Sequence, residues 1–262
     1  MTESSEYPPR RNINLVIAYN GMKYHGWQRQ ADGIDTVQQR IEDAALQVMK
    51  HRVILFGTGR TDAGVHAEGQ CANFYTQNFS IPLKGMRRAI NSRLPSDIVI
   101  RSAREVPDEF HASRSAVGKT YRYCLFTAPE RPVFRAGQVW HYWRKLDIEP
   151  MKDAAARLVG RHDFRGFATS AEVRDNTERT IYRCDVARTG PEILIHVQGD
   201  GFLYNMVRNI VGTLTEIGRG RWQPDRIDTV LRTRNRRDAG VTAPPDGLTM
   251  QCVHFDPAEL GT

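Results

Sequence analysis

The sequence predicts an α+β protein whose two halves follow the same order of elements. Over residues 13–19, apolar side chains recur at every second position, which is typical of a strand. Patterns for a helix, two strands, a helix and a strand follow, and the second half repeats this order from residue 120 onward. A β-α-β-β-α-β order that occurs twice predicts two split β-α-β units with antiparallel sheets, as in ferredoxin-like folds.

These patterns divide the chain into three parts. Residues 1–11 are polar and proline-containing, and they predict a flexible N-terminal lead without the apolar core of a signal peptide. The first α+β half spans residues 12–108 and the second spans residues 109–262, so the boundary falls near Pro107.

The first half begins its first helix with a clear start signal. Thr36 and Gln39 have the spacing of a capping box, and an apolar stripe with helical spacing follows them. A short apolar run at residues 53–56 predicts a buried strand. The remaining elements predicted here are a strand over residues 69–79, a helix from Pro82 onward and a strand that contains residues 98–100.

The second half is interpreted in the same way. A strand is expected over residues 120–126, and a hairpin is expected with strands at 181–186 and 193–197. A long apolar helix face runs from Leu203 to Ile217 and is expected to end at Gly218. The remaining elements predicted here are a helix over residues 151–159, a short helix after Pro224 and a closing strand over residues 248–255.

The composition favours a nucleic acid as partner. The chain has 262 residues and a formal net charge of +7, with 31 arginines but six lysines. A guanidinium binds phosphate through two parallel hydrogen bonds and stacks on bases, so this bias suits RNA or DNA. No apolar stretch is long enough to span a membrane. The four cysteines form no Cys-x-x-Cys pair, which argues against a zinc site and fits a reduced, cytoplasmic protein.

One loop concentrates residues that suit chemistry. Residues 57–67 contain three glycines, which permit a tight turn, and they carry Arg60 and Asp62. The loop is not a P-loop, because no Lys-Ser or Lys-Thr follows the glycines, and it lacks the alternating carboxylates of a calcium loop. Spacing alone leaves two interpretations of Asp62 equally open: a catalytic carboxylate, or a residue that closes the turn by bonding its own backbone.

Residues 59–67, with the sequence GRTDAGVHA, resemble the signature of the TruA family of tRNA pseudouridine synthases. Further matching motifs extend the resemblance nearly from end to end: GWQ at 26–28, FHAS at 110–113, KTYRY at 119–123 and GFLYNMVRN at 201–209. The resemblance implies that the two sheets join into one extended sheet with a central cleft. It also implies that the first half carries the catalytic loop and that the second half completes the RNA-binding cleft.

The resemblance assigns roles to both charged residues of the loop. Asp62 matches the catalytic carboxylate of the family, which acts as a nucleophile or as a base, and carboxylates suit an oxocarbenium-like centre. Arg60 matches an arginine that enters the space left by the flipped base. By spacing alone, Arg60 is as well explained as a phosphate contact or as a residue that stabilises the turn.

Four residues of the second half complete the site that the resemblance implies. Tyr121 matches the tyrosine that packs on the target base, although its spacing alone favours a core position. Arg208 matches the arginine that pairs with the aspartate, although helical periodicity alone places it on the solvated side. Phe202 and Leu203 are implied to line the uracil pocket.

Other polar residues receive no catalytic role. His66 and His111 are interpreted as structural. A run of arginines near the C-terminus is expected to be a solvated face, with phosphate binding as the alternative. The run consists of Arg232, Arg234, Arg236 and Arg237.

These expectations predict an isomerase that converts uridine to pseudouridine in tRNA without a cofactor or a metal. The resemblance implies the anticodon stem-loop, positions 38 to 40, as target and a homodimer as the working unit. One alternative is a tRNA-binding relative without catalysis, which an altered acid at position 62 would indicate. Another is a glycosidase or base hydrolase, which would need a second carboxylate beside Asp62, and none is evident.

Overall fold

The computed structural model describes residues 8–31, 33–169, 172 and 174–260. They form two compact units, Met1–Ala116 and Val117–Thr262, and each is described by itself. Most of the predicted N-terminal lead, residues 1–7, lies outside the described residues, whereas Arg11 is already the first residue of a strand.

The first unit is a four-stranded antiparallel sheet with two helices. In chain order its elements are β1 (Arg11–Tyr19), α1 (Val37–Met49), β2 (Phe56–Gly57), β3 (His66–Thr76), α2 (Leu83–Asn91) and β4 (Ile98–Val106). Strand β1 lies between β3 and β4, and β2 pairs with β3. The order across this sheet is therefore fourth, first, third, second, which is the order of a split β-α-β unit.

Local signals place the helices of this unit. The side chain of Thr36 accepts a hydrogen bond from the N–H of Gln39, as the capping-box spacing predicts. Helix α1 buries Ile41 completely, and α2 does the same with Met86 and Ile90. Burying an aliphatic side chain of this size contributes about 1.5–3 kcal/mol, so these helix faces hold the unit together.

The predicted buried strand at residues 53–56 is wrong, because only Phe56 and Gly57 pair with a neighbour. The backbone of Leu55 is bonded to side chains of α1 instead. Its N–H donates to Oε1 of Glu42 at 3.0 Å, and its carbonyl accepts from Nε2 of Gln38 at 3.1 Å. With both groups satisfied in this way, Leu55 remains buried without a strand partner.

The second unit repeats the plan with additions. Its elements are β5 (Gly118–Phe126), β6 (Trp140–His141), α3 (Ile148–Ala156), β7 (Gly160–Asp163), β8 (Glu178–Thr189), β9 (Glu192–Gly199), α4 (Met206–Gly218), α5 (Arg226–Thr233) and β10 (Leu248–His254). The strand order is β10-β5-β9-β8-β7, and β6 pairs in parallel with β5. Counting β5, β8, β9 and β10 as first to fourth reproduces the order of the first unit.

The predicted α+β class and its duplicated β-α-β-β-α-β plan are confirmed. The hairpin expected around residues 189–191 is formed by β8 and β9, which pair in antiparallel register up to Thr189 and Glu192. The additions to the plan are β6, β7 and α5, and all three lie in the second unit.

Helix α4 begins later than predicted and ends where predicted. It begins at Met206 rather than Leu203, because Asn205 has a left-handed backbone with φ of 59° that cannot belong to the helix. Gly218 is the last residue of the helix, as predicted. A Cβ on Gly218 would overlap the sulfur of Met151, so glycine allows α3 and α4 to pack closely. None of the helices in the described part of the chain is long and apolar enough to cross a membrane.

Candidate active site

The loop between β2 and β3 presents Asp62 on a tight turn. The carbonyl of Asp62 accepts a hydrogen bond from the N–H of Val65 at 3.1 Å, and Gly64 has φ of 82°. A hydrogen-bonded turn with a positive φ at its third position but not at its second is typical of type II, which strongly favours glycine at the third position. The main chain therefore closes this turn. Asp62 itself is half-buried, and Arg60 is exposed.

A second segment of the first unit supports the loop through the main chain. The N–H of Trp27 donates to the carbonyl of Thr61 at 3.1 Å. Gly26 has φ of 93°, and a Cβ there would lie 2.6 Å from the same carbonyl oxygen. The indole of Trp27 packs directly against Gly57. Thr61, directly before Asp62, and Gly57, at the end of β2, are thus both held by residues 26–27.

Buried polar contacts hold the same loop from the sheet side. The Tyr19 hydroxyl and Oγ1 of Thr61 are 2.7 Å apart, and burial raises the pKa of Tyr19 well above its usual range. Tyr19 therefore stays protonated and neutral. Nε2 of Gln70 donates to the carbonyl of Gly59 at 2.8 Å. These bonds to buried groups favour a single conformation of the loop.

The two histidines excluded from catalysis are in structural positions. Nδ1 of His66 accepts the N–H of Gly21 at 3.1 Å, and His66 is buried. The ring of His111 lies 5.3 Å from that of Phe56, and its Nδ1 accepts the N–H of Ser113 at 3.2 Å.

Tyr121 and Phe202 form an aromatic pair in the second unit. Their ring centroids are 5.1 Å apart and the planes meet at 84°, an edge-to-face arrangement. Tyr121 is 8% exposed, Phe202 is half-buried and Leu203 is buried. A Cβ at Gly199 would lie 3.3 Å from Cζ of Phe202, so the ring rests on the end of β9. The predicted pocket residues Tyr121 and Phe202 are therefore in contact.

Helical periodicity alone places Arg208 on the solvated side of α4, and the structure shows that this is wrong. Arg208 is half-buried, and its Nε donates to the carbonyl of Ala243 at 2.7 Å. Its Nη1 donates to Oδ1 of Asn205 at 2.9 Å, and its own carbonyl accepts the N–H of Ala243 at 3.1 Å. The guanidinium is therefore oriented by the loop before β10 and by the residue that precedes α4.

Sequence reasoning missed the residues that anchor the Phe202 segment. Glu172 accepts the N–H of Tyr204 at 2.9 Å and binds the guanidinium of Arg174 through both oxygens, each at 2.7 Å. Arg174 comes first among the causes that lower the pKa of Glu172 to about 2. No local pattern indicates this contact, because some thirty residues separate Glu172 from the segment that it holds.

The C-terminal arginine run contains residues with different roles. Arg236 is structural: its Nη1 donates to the carbonyl of Gly240 at 2.8 Å and its Nη2 donates to Oδ1 of Asn209 at 2.9 Å. Asn209 is fully buried in α4, so Arg236 ties the run to the helix.

The other three arginines of the run are exposed. Nε of Arg234 forms an ion pair with Asp163 at 3.2 Å. Arg232 and Arg237 extend into solvent. The expected solvated face is thus confirmed for these three arginines and wrong for Arg236.

The predicted site residues therefore fall into two sets. Arg60 and Asp62 share one loop of the first unit. The other set lies in the second unit and comprises Tyr121, Phe202, Leu203 and Arg208.

Comparisons with known proteins identify the family. The family model for tRNA pseudouridine synthase matches residues 15–113 and 154–256, which is most of the chain. The chain belongs to this tRNA pseudouridine synthase family, whose members are isomerases that act on uridine in tRNA.

Individual relatives agree with the family model. The chain is 43% identical to tRNA pseudouridine synthase A 2 of Clostridium perfringens over 245 residues, which cover 94% of the chain and all of the relative. It is 41% identical to tRNA pseudouridine synthase A of Syntrophotalea carbinolica, over 94% of the chain and 97% of the relative. It is 40% identical to tRNA pseudouridine synthase A of Acinetobacter baumannii (strain SDF), over 93% of the chain and 92% of the relative.

Proposed function

We propose that this protein converts uridine to pseudouridine in the anticodon stem-loop of tRNA, at positions 38 to 40, with Asp62 as the essential carboxylate. The observation that carries the proposal is the presentation of Asp62. It lies within the motif that resembles the family signature, on a type II turn pinned by Trp27 and Tyr19 through Thr61. Full-length similarity to enzymes named tRNA pseudouridine synthase A supports tRNA as the substrate.

The reaction explains why one carboxylate is enough. Uridine and pseudouridine are isomers: the C1′–N1 bond breaks, the C1′–C5 bond forms, C5 loses a proton and N1 gains one. No water molecule is consumed, so no second acid is needed to activate one, in contrast to a glycosidase. Asp62 acts at the sugar, either as a nucleophile at C1′ or as a base toward the ribose. We expect no cofactor and no metal to be required.

The remaining residues bind and orient the substrate in this proposal. Tyr121 packs on the detached uracil, and Phe202 and Leu203 line its pocket, since stacking on an aromatic ring is worth about 1–3 kcal/mol per base. Arg60 occupies the position left by the flipped base and offsets part of the few kcal/mol that unstacking costs. Arg208 pairs with Asp62 and keeps it ionised. The pairing is taken from the family resemblance.

The proposal is tested by mapping pseudouridine in tRNA that has been incubated with the pure protein. Carbodiimide treatment followed by reverse transcription locates each modified position. We expect modification at positions 38 to 40 and nowhere else in the tRNA. Unmodified tRNA would favour the non-catalytic relative, and release of free uracil would favour a hydrolase.

Asp62→Asn is the decisive variant, because it removes the charge and keeps the shape of the side chain. We expect turnover to disappear. The free energies of tRNA binding and of unfolding should each stay within about 0.5 kcal/mol of the wild type. Asp43→Asn is the matched control, because it makes the same change on the exposed side of α1. Near-normal turnover by Asp62→Asn would contradict the assignment.

We further propose a homodimer as the working unit and the cytoplasm as its location. Family resemblance supports the dimer, and the cysteine usage supports a reducing compartment. Sedimentation at micromolar concentration tests the dimer directly. A monomer that retains full activity would overturn it.

A further inference from the structure

A lysine lies beside the aromatic pair on β5. Lys119 and Tyr121 are two residues apart on this strand, so their side chains leave the same face of the sheet. Tyr121 contacts Phe202, and Lys119 is the register partner of Gly199, on which the Phe202 ring rests. Lys119 is therefore next to the site where the proposed function places the uracil.

Two arginines reach the same segment. Nη1 of Arg174 donates to the carbonyl of Phe202 at 3.4 Å. A Cβ at Gly201 would lie 3.4 Å from Nε of Arg179, near the start of β8. We refer to Lys119, Arg174 and Arg179 as the basic cluster.

The members of the basic cluster act on each other electrostatically. Burial first, and then the charges of Arg174 and Arg179, lower the pKa of Lys119 to about 8. Burial and then Arg174 also lower the pKa of Arg179. Glu172 and Asp200 are the carboxylates whose charges act on Arg179. Three cations held against two carboxylates leave an excess of positive charge that a bound anion would offset.

We propose that the basic cluster binds a backbone phosphate of the RNA substrate, next to the uridine whose base packs on Tyr121 and Phe202. This proposal rests on the proposed function, because it assigns a phosphate subsite to the same active site. Every nucleotide that leaves a stack keeps a phosphate on each side, so a phosphate lies within one linkage of a base bound at the aromatic pair. Charge-assisted hydrogen bonds from arginine and lysine are the usual means of holding such a phosphate.

The first test measures binding of an anticodon stem-loop RNA at several salt concentrations. For Lys119→Gln we expect Kd to rise about tenfold at 0.1 M salt, and the slope of log Kd against log salt to fall by about one. Lys119→Arg should keep the slope, because it keeps the charge. The matched control is Lys152→Gln, which removes one positive charge from α3 of the same unit and should leave the slope unchanged.

The second test changes the RNA rather than the protein, so it does not depend on how a variant folds. Methylphosphonate replaces one linkage at a time around the target uridine, and each RNA is measured with wild type, Lys119→Gln and Arg179→Gln. At one linkage, we expect the methylphosphonate and the variant combined to weaken binding no more than either change does alone. Additive losses at every linkage, or an unchanged salt slope for Lys119→Gln, would overturn the phosphate subsite.

The two proposals fail in distinguishable ways. Pseudouridine mapping with the wild-type enzyme decides the proposed function and does not involve the basic cluster. The linkage scan uses binding alone and gives the same answer whether or not turnover occurs. Coupling at one linkage therefore supports the subsite even where mapping fails, and additive losses reject it even where mapping succeeds.

Discussion

The loop that carries Asp62 and the segment that carries Phe202 are anchored by different kinds of contact. In the first unit, the N–H of Trp27 donates to the carbonyl of Thr61, so main-chain atoms hold the loop. In the second unit, the N–H of Tyr204 donates to a carboxylate, so an ionised side chain holds the segment. A main-chain anchor depends on the space between backbones, whereas a charged anchor depends on protonation and salt.

This difference in anchoring suits the role that is proposed for each region. The carboxylate must stay at a fixed place relative to a reacting carbon, and misplacement by about 1 Å can cost on the order of 100-fold in rate. The aromatic segment must admit a base and release it, and side-chain contacts can open and close without moving a strand. The following predictions separate the two kinds of anchor.

Arg208→Ala should have the largest effect on turnover among the variants considered below. If Arg208 pairs with Asp62 as proposed, kcat should fall by about 10²–10³, the usual cost of removing one preorganised electrostatic partner. The acid limb of the pH–rate profile should move to higher pH, because a nearby cation favours the ionised carboxylate. Single-turnover rates on tRNA between pH 5 and 9 measure both quantities.

Arg208→Lys separates charge from shape. It should restore part of the rate and the position of the acid limb, because it keeps the charge but loses the planar fork that bonds Ala243 and Asn205. A purely structural role would lower the unfolding free energy of both variants and leave the pH profile in place. An Arg208→Ala enzyme with wild-type turnover across this range would exclude the pairing.

Gly26→Ala should lower turnover by about 10- to 100-fold with little effect on RNA affinity. Its Cβ would lie 2.6 Å from the Thr61 carbonyl, so the loop must shift and Asp62 must move with it. Gly33→Ala is the matched control, because Gly33 has a similar φ of 89° but nothing within 4 Å of the added Cβ. Both variants should lose about 1 kcal/mol of stability from backbone strain. Gly26→Ala should lose more than Gly33→Ala because of its steric overlap, and only Gly26→Ala should lose activity. Equal activities would show that the main-chain anchor does not position Asp62.

Glu172→Gln should have the smallest effect, a rise of a few-fold in KM with kcat nearly unchanged. The amide keeps the shape but weakens the bonds to Arg174 and to the N–H of Tyr204, so the segment with Phe202 becomes less ordered. Steady-state kinetics on tRNA at neutral pH measure both KM and kcat. A large fall in kcat with unchanged KM would show that this anchor acts in the chemical step.

Stability against pH tests the same anchor independently. The bond to Arg174 lowers the pKa of Glu172 from 4.5 to about 2 in the folded protein. The folded state therefore favours the charged form, and this contribution is present above about pH 4.5 and disappears as the pH falls toward 2. Between these values the wild type should lose more unfolding free energy than Glu172→Gln does. Glu178→Gln is the control, because its ion pair with Arg161 is more than half exposed on both sides and contributes little to stability.

Much of the fold could be predicted because its signals are local. The Thr36 cap and the alternation along β1 depend on residues a few positions apart, and both predictions are confirmed. The run at residues 53–56 misled the prediction, because its strong apolar pattern does not reveal that side chains of α1 bond the backbone of Leu55. Hydrophobicity predicts burial better than it predicts pairing.

The sequence by itself determined the class of the fold, its duplicated plan, the family and the position of the loop with Asp62. Each of these follows from patterns that run continuously along the chain. Only the tertiary structure decided which charged side chains are anchors: Arg236 binds Asn209, Arg208 binds the Ala243 carbonyl, and Glu172 binds the segment after Phe202. The partners of these side chains lie about 27 to 35 residues away along the chain, and a charged residue in a sequence looks the same whether it faces water or a buried carbonyl.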